Sequence, residues 1–417
     1  MSDQVLRRTS CRSCNAAQLQ DVLEIGELYL SDFPTEPDSR EIPKVPLSLV
    51  RCSSCTLVQL LHTTPPEWMY RTYWYRSGIN ETMVAELKDV VHSACKFVGG
   101  VDDNDAVLDI GANDGTLLAM YKTPKYKLPR RVAFEPSDIA EDLRKSHTAD
   151  DVYETFFPPP AGNVFWRDDD TYKVITSIAM FYDLDDPGSF VRAIKKVLHP
   201  DGVWIVQLQD LDQMLRAKAF DNIGHEHLEY YSYTSLRHAI EPHGLRIADI
   251  ESRSINGGSL RFYITHKKRA AVQGAADRLK LQAQKESNLE ERLADFAWHV
   301  GAARKQILGV VYATLQAGRT VDLYGASTKA NTLLQYLHLN PDQIRCAVER
   351  SPAKFGRYTV GTHIPIVSEE DWRKNPADLT LVGIWQFREA ILEREADYLN
   401  KGGAFLFPLP WAEVVSR

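Results

Sequence analysis

The sequence predicts an α/β protein in which a small cysteine-rich head precedes two doubly wound, Rossmann-like units. Three observations carry this expectation. Two C-x-x-C pairs, Cys11/Cys14 and Cys52/Cys55, stand near the N-terminus. The stretch AVLDIGANDGTLLAMY (106–121) runs from an apolar strand through a glycine loop into a helix. TVDLYGASTKANTLLQYL (320–337) repeats that plan. A chain of 417 residues is also too long for one ordinary core. Its 44% apolar and 25% charged content is an ordinary globular balance. The formal charge of -7 argues against nucleic-acid binding, which wants a basic face. It leaves room for a small anionic ligand held by a few local donors. No run of 18 apolar residues appears, so no membrane span is expected. The N-terminal MSDQVLRRTSCRSC lacks the apolar core of a secretory signal, and the reading is a cytoplasmic protein.

Four thiolates in two C-x-x-C pairs can close a tetrahedral zinc site, because a two-residue spacer lets both sulfurs of a pair turn onto one ion. Cys11, Cys14, Cys52 and Cys55 are the expected ligands. With no open position for water, such a zinc is structural. A β-rich insertion must fit between the pairs, and TLVQLLH should pack beneath the second. Free or redox cysteines are the alternative. Cys95 and Cys346 are single and read as core or surface thiols.

In the central unit Val107, Leu108 and Ile110 form a buried strand, and Gly111 and Gly115 frame a tight turn into a helix. The loop reads G-A-N-D-G rather than the dinucleotide pattern G-x-G-x-x-G. This short form resembles motif I of S-adenosylmethionine-dependent methyltransferases. Asp109, Gly111, Asn113, Asp114 and Gly115 are therefore cofactor candidates. The next strand, RRVAFEPS, ends in Glu135, where an acid can accept from both ribose hydroxyls. A strand at Val174 and Ile175 follows, with Ser177 to Asp183 expected at the pocket edge. GVWIVQLQD and NGGSLRFYITH continue the sheet.

The polar stretch from Arg269 to Gly318 is dominated by helix formers without proline. It reads as a helical connector broken near Asn288 and near Gly301. In the third unit a strand at 320–324 feeds Gly325 and a helix from about Thr328. A helix N-terminus suits an anion, with Lys329 and Asn331 beside it. The strand IRCAVER ends at Glu349, echoing the cofactor half.

GHEHLEYYS (224–232) raises a metal question and answers it poorly. The helical zinc motif H-E-x-x-H spaces its histidines four apart, whereas His225 and His227 are two apart. Proton transfer fits better.

Together these pieces resemble the C-methyltransferases that act on nucleotide-linked deoxy-keto-sugars. The matching stretches are the two C-x-x-C pairs, PEWMYRTYWYRSG, VLDIGANDGTLL, FDNIGHEHLEYYS, LYGASTKANTLLQY, ERSPAKFGRYTVGTHIPI and GGAFLFPLP. The resemblance implies a zinc-binding domain (1–75), a methyltransferase domain (76–268) and a helical connector with a C-terminal α/β domain (269–417). It assigns the third unit to a sugar nucleotide, with Lys329, Asn331, Arg357 and His363 as phosphate or sugar candidates and Trp385 as a cleft wall. Surface, capping or core packing is the alternative for these. It maps the base onto His227, a functional glutamate onto Glu226 and an active-site tyrosine onto Tyr75. His225 is either catalytic or structural. A neutral histidine suits removal of the proton beside a ketone, and the resulting carbanion attacks the sulfonium methyl. A monomer is expected.

The chain departs from the family at Gly224, where tyrosine is usual before H-E-H. It also departs at Ala179 and Asp183 after the fourth strand, and at Gln207 in place of glutamate. These changes leave O-methylation of a nucleotide sugar or related metabolite as the second enzymatic reading. A non-catalytic scaffold is a third.

Overall fold

The computed structural model describes residues 4–37, 42–69, 75–121, 128–159 and 170–417. Strands Leu19–Tyr29, Lys44–Cys52 and Val58–Leu60 form an antiparallel meander around the cysteine pairs. The expected β-rich insertion is thus present, and Leu57 packs with Cys11, Cys52 and Cys55 in one buried cluster. The meander gains a fourth strand from far along the chain. Glu229–Tyr230 pairs antiparallel with Val58–Leu60, Glu229 opposite Gln59 and Tyr230 opposite Val58. The strand that follows the two histidines therefore belongs to the cysteine-rich head.

The central sheet has seven strands in the order Leu245–Arg253, Ser259–His266, Leu198–Gln209, Tyr172–Ile178, Ala106–Ile110, Arg130–Phe134, Asp151–Tyr153. Ser259–His266 runs antiparallel to both neighbours. The other pairings are parallel. Chain order reverses at Ala106–Ile110, so a crevice opens at the carboxyl end of that strand. Helix Glu81–Phe97 covers one face, starting where the Asn80 side chain accepts from the Thr82 and Met83 amides. It buries Met83, Leu87, Val90, Val91 and Ala94.

The C-terminal sheet has six strands in the order Ile366–Ser368, Ala347–Glu349, Val321–Tyr324, Leu379–Val382, Ala404–Phe407, Glu413–Ser416. All pairings are parallel except the last. Trp385 lies in a helical turn, Trp385–Phe387, beyond its strand.

The connector breaks at one of the two expected places. Helix Ala275–Lys285 ends before Asn288, which takes a left-handed φ of 58°. Helix Leu289–Gln316 then runs unbroken through Gly301, correcting the second expected break. Its buried stripe of Leu293, Phe296, Val300, Ala303, Ile307 and Val311 spans the glycine. A mid-helix glycine costs about 1 kcal/mol, and six buried apolar side chains outweigh that severalfold. Gly301 is exposed, with nothing within 4 Å of an added Cβ. Gly301→Ala is therefore expected to raise stability by about 0.5–1 kcal/mol, read as a higher urea midpoint at unchanged slope.

One core joins the units. Leu47, Leu49 and Val58 of the head, Leu211 to Tyr230 of the central unit, the long helix and Leu323, Leu333 and Leu381 of the third unit form a single buried cluster. The segment bearing the histidines sits where these parts meet.

Candidate active site

The four head cysteines converge. Their sulfurs all lie within 4.8 Å of one another. Cys11 Sγ and Cys55 Sγ are 3.5 Å apart, and Cys14 Sγ and Cys52 Sγ 3.6 Å. Zn–S bonds of about 2.3 Å in a tetrahedron put sulfurs about 3.8 Å apart, so the thiols fit zinc. Gln59 Nε2 donates to Cys11 Sγ at 3.2 Å, an outer contact that steadies a thiolate. The Gln59 oxygen accepts from the Arg12 amide at 3.1 Å. Arg12 itself is buried, donates to Thr63 Oγ1 at 2.7 Å, and reaches Asp185 of the central unit at 3.2 Å.

The glycine loop is built by backbone conformation. Gly111, Asn113 and Gly115 take φ of 73°, 50° and 78°. A Cβ on Gly115 would stand 2.2 Å from Thr148 Oγ1. Glu135 reaches the loop from the next strand, accepting from the Asn113 amide at 2.8 Å. The loop also holds the segment that enters the domain. Asn113 Nδ2 donates to the Tyr75 carbonyl at 3.1 Å, and Asp114 Oδ2 accepts from the Gly78 amide at 2.8 Å. Tyr75 thus stands beside the glycine loop, and burial together with the nearby Asp114 charge pushes its phenol up to about 12. Residues 70–74 of PEWMYRTYWYRSG lie outside the described residues.

Two cofactor candidates face the sheet interior. Asp109 accepts from Thr176 Oγ1 at 2.6 Å, and burial raises its carboxyl to about 7. Ser177 is fully buried and accepts from the Trp204 indole at 3.1 Å. Within the expected pocket edge, Ser177 to Asp183, Tyr182 is the residue that lines a cavity.

His227 lies between two cavities. One is a narrow recess, about 250 Å³ counted with open solvent, lined by Tyr182, Gln209, Leu211, Met214, His227, Glu229 and Tyr230, on the side of the central sheet. The other is a cleft of about 550 Å³ counted with its open mouth. Its walls come from Leu28–Ser31 of the head, Asp221 to His227, and Thr328 to Gln335 of the third unit. The His227 Nδ1 lies 3.1 Å from the Asn222 carbonyl. A carbonyl only accepts, so Nδ1 carries the proton and Nε2 is the basic nitrogen. The Tyr182 ring meets the imidazole edge-on at 4.6 Å. Burial, with a smaller push from the Lys329 ammonium, lowers the imidazole to about 4, so it is neutral at pH 7. Burial raises Glu226 to about 7.

His225 has a different task. It is 7% exposed, and its Nε2 donates to the Val45 carbonyl of the head at 2.9 Å. That bond ties the histidine loop to the head, and His225 also lines the cleft. Of the third-unit candidates, Lys329 and Asn331 line the cleft. Arg357 instead donates to the Phe33 carbonyl at 3.0 Å. His363 occupies a left-handed turn position, φ 62°, and is not among the cleft's lining residues. Trp385 acts from behind, its indole donating to Asp221 Oδ2 at 2.8 Å.

Sequence reasoning missed Asp221, Asn222 and Gln209, and named Tyr182 only as part of the stretch from Ser177 to Asp183. The first two were visible as polar residues inside FDNIGHEH. The others sit just past, or at, the carboxyl ends of strands, where ligands gather. Two departures also find their place. Gln207 accepts from the buried Arg261 at 2.8 Å, whose guanidinium already pairs with Glu86 and Asp89, so a neutral partner suffices. Gly224 lines the cleft, with nothing within 4 Å of an added Cβ, so tyrosine's absence leaves open space.

A switch-point crevice with a glycine loop, joined to a four-thiol module, defines an S-adenosylmethionine-dependent methyltransferase with a structural zinc. Residues 80–250 match the family model of a methyltransferase domain. Residues 254–410 match the C-methyltransferase C-terminal domain, and 11–70 a zinc binding domain. The chain is 27% identical to the C-methyltransferase NovU of Streptomyces niveus, over 100% of this chain and 99% of that one. Among solved structures, the mitomycin 7-O-methyltransferase MmcR is 20% identical over 45% of this chain and 55% of its own, with a TM-score of 0.35. The glycopeptide N-methyltransferase MtfA is 11% identical over 46% of this chain and 96% of its own, with a TM-score of 0.34. The three matches and the full-length likeness to NovU together support an S-adenosylmethionine-dependent C-methyltransferase. No helix among the described residues is long and apolar enough to cross a membrane.

Proposed function

We propose that the protein methylates the carbon beside the ketone of a nucleotide-linked keto-deoxysugar, with His227 as the base and an enolate intermediate. The observation that carries this reading is that His227 lines both cavities with its Nδ1 proton committed to Asn222. Its Nε2 has no hydrogen bond among the described residues, so it can face an acidic carbon. The loop from Gly111 to Gly115, with Glu135, would hold S-adenosylmethionine, which would supply an electrophilic methyl group and leave as the neutral thioether. The sugar enters the cleft between the head, the histidine loop and helix Thr328–Leu337. Nε2 takes the proton, and Lys329 lies near enough to His227 to influence its charge and to offset charge developing on the substrate oxygen. Alignment of carbon and methyl supplies much of the rate. Residues 1–75, 76–268 and 269–417 are the corresponding functional units, and the enzyme works as a cytoplasmic monomer.

Solvent deuterium tests this reading. Incubation with nucleotide-linked keto-sugars in deuterated water, without cofactor, should wash deuterium into the carbon next to the ketone. Methylation without wash-in would instead support transfer to oxygen.

The pH profile has a worked sign. His227 has a folded pKa near 4, below the ordinary value of about 6.5. Its neutral form therefore persists as pH falls through 6.5 and is lost only near 4. kcat/KM, which reports the free enzyme, should show no acid limb at 6.5 from this group. A limb near 7 would belong to Glu226 or Asp109, and its disappearance in Glu226→Gln would assign it to Glu226. A limb at 6.5 that survives in Glu226→Gln and is lost in His227→Ala would keep His227 as the base and overturn the lowering of its pKa by burial.

A further inference from the structure

Three acceptor oxygens of the cleft wall are buried without a hydrogen-bond partner among the described residues: Asp221 Oδ1, Asn222 Oδ1 and Asn331 Oδ1. Their residues are 2%, 4% and 1% exposed, and all three line the cleft that holds His227. Two of them are oriented by neighbours. Asp221 Oδ2 accepts from the Trp385 indole at 2.8 Å, leaving Oδ1 as its unengaged atom. Asn331 Nδ2 donates to the Asp32 carbonyl and to Ser31 Oγ, each at 3.1 Å. A carbonyl cannot donate, so that amide cannot be flipped and Oδ1 is its unpaired end. A buried acceptor without a donor is costly; Asp221 Oδ1 and Asn331 Oδ1 are fixed as acceptors, and the Asn222 amide, which no neighbour orients among the described residues, can present its oxygen to a third donor. Against them stands one ammonium, Lys329, among the lining residues. That balance suits a diphosphate poorly and a hydroxyl-bearing ring well.

We propose that Asp221, Asn222 and Asn331 form a subsite for hydrogen-bond donors, the ring hydroxyls of the substrate, so that the ketone-bearing ring and not its diphosphate occupies this cleft. The inference rests on the keto-sugar reading above and adds the groups of the sugar that are recognised. A site built to bond a hydroxyl rejects the analogue that lacks it, because its acceptors are then left unpaired.

The test pairs a ligand change with a protein change. The probes are thymidine- and uridine-diphosphate-linked 4-keto-6-deoxyglucose and their counterparts without the two ring hydroxyls. The zinc-loaded enzyme should wash deuterium into the hydroxylated compound and methylate it with kcat/KM about tenfold to a hundredfold above the dideoxy counterpart. Asp221→Asn exchanges one acceptor for a donor at constant shape. It should lose at least about tenfold more on the hydroxylated compound than on the counterpart. Equal losses on both would make Asp221 a structural residue and overturn the subsite. Wash-in and methylation without preference in the unmodified enzyme would also overturn it, since water then satisfies these oxygens, and would leave the keto-sugar reading standing. Neither wash-in nor methylation with any probe would overturn the keto-sugar reading and the subsite together. The comparison of sugars on the unmodified enzyme decides even if the variant does not fold.

Discussion

His227→Ala should lower turnover by about a hundredfold to ten-thousandfold, the usual contribution of a positioned general base. It should abolish deuterium wash-in and leave S-adenosylmethionine affinity, read by calorimetry, within a few-fold of the parent. The separation is expected because, among the described residues, the hydrogen bonds of the glycine loop and Glu135 run to Asn113, Ser137 and the Tyr75 segment and not to His227. Stability should fall by about 1–3 kcal/mol, since the variant loses one hydrogen bond to a backbone carbonyl and the edge-on contact with Tyr182, so turnover is compared on folded protein. His225→Ala is the contrasting variant. It strips the Val45 carbonyl of a buried donor, at a cost of about 1–3 kcal/mol, so its effect should appear first in the melting temperature, with wash-in retained. Full turnover in His227→Ala would end the proposed mechanism. Loss of wash-in in both variants with no loss of stability in His225→Ala would assign chemistry to both histidines.

Removing the zinc should disable the enzyme from a distance. Structural zinc contributes about 10–16 kcal/mol to small folded modules, as much as the whole stability of a typical domain. Cys52→Ser, or a strong chelator, should therefore unfold the meander. The damage cannot stop there, because Glu229–Tyr230 is a strand of that meander and His225 bonds to Val45 within it. These two anchors bracket His227. The expected outcome is loss of zinc by metal analysis, a lower melting temperature and loss of turnover together, with Cys346→Ser as a neutral control. Cys346 is half-buried and lies outside the thiol cluster. A zinc-free protein with normal turnover would show that the head does not position the base.

Much of this was legible because it is local. C-x-x-C spacing brings two sulfurs to one ion without help from elsewhere, and the sulfur geometry follows it. The glycine loop was readable because a strand, a left-handed turn and a helix are consecutive in the chain. Glu135 was found by counting one strand further. Gly301 shows where local reading fails: propensity argues for a break, and burial of the stripe on either side carries the helix through. Ser177 shows the same limit, since a strand's alternation does not say that Trp204 will claim its hydroxyl.

The sequence by itself determined the zinc ligands, the α/β architecture and the short peptide that bears His227, because each is encoded in contiguous residues whose chemistry is evident from type and spacing. Only the tertiary structure decided which histidine is free. His225 and His227 are equivalent in sequence, and they differ because Val45, a strand of the head, captures one imidazole, while the Asn222 carbonyl fixes the other's tautomer and leaves its second nitrogen toward the cavities. It also decided that Asp221, Asn222 and Asn331 share one wall, since residues more than a hundred positions apart become neighbours only when a common core draws the head, the histidine segment and the third unit together.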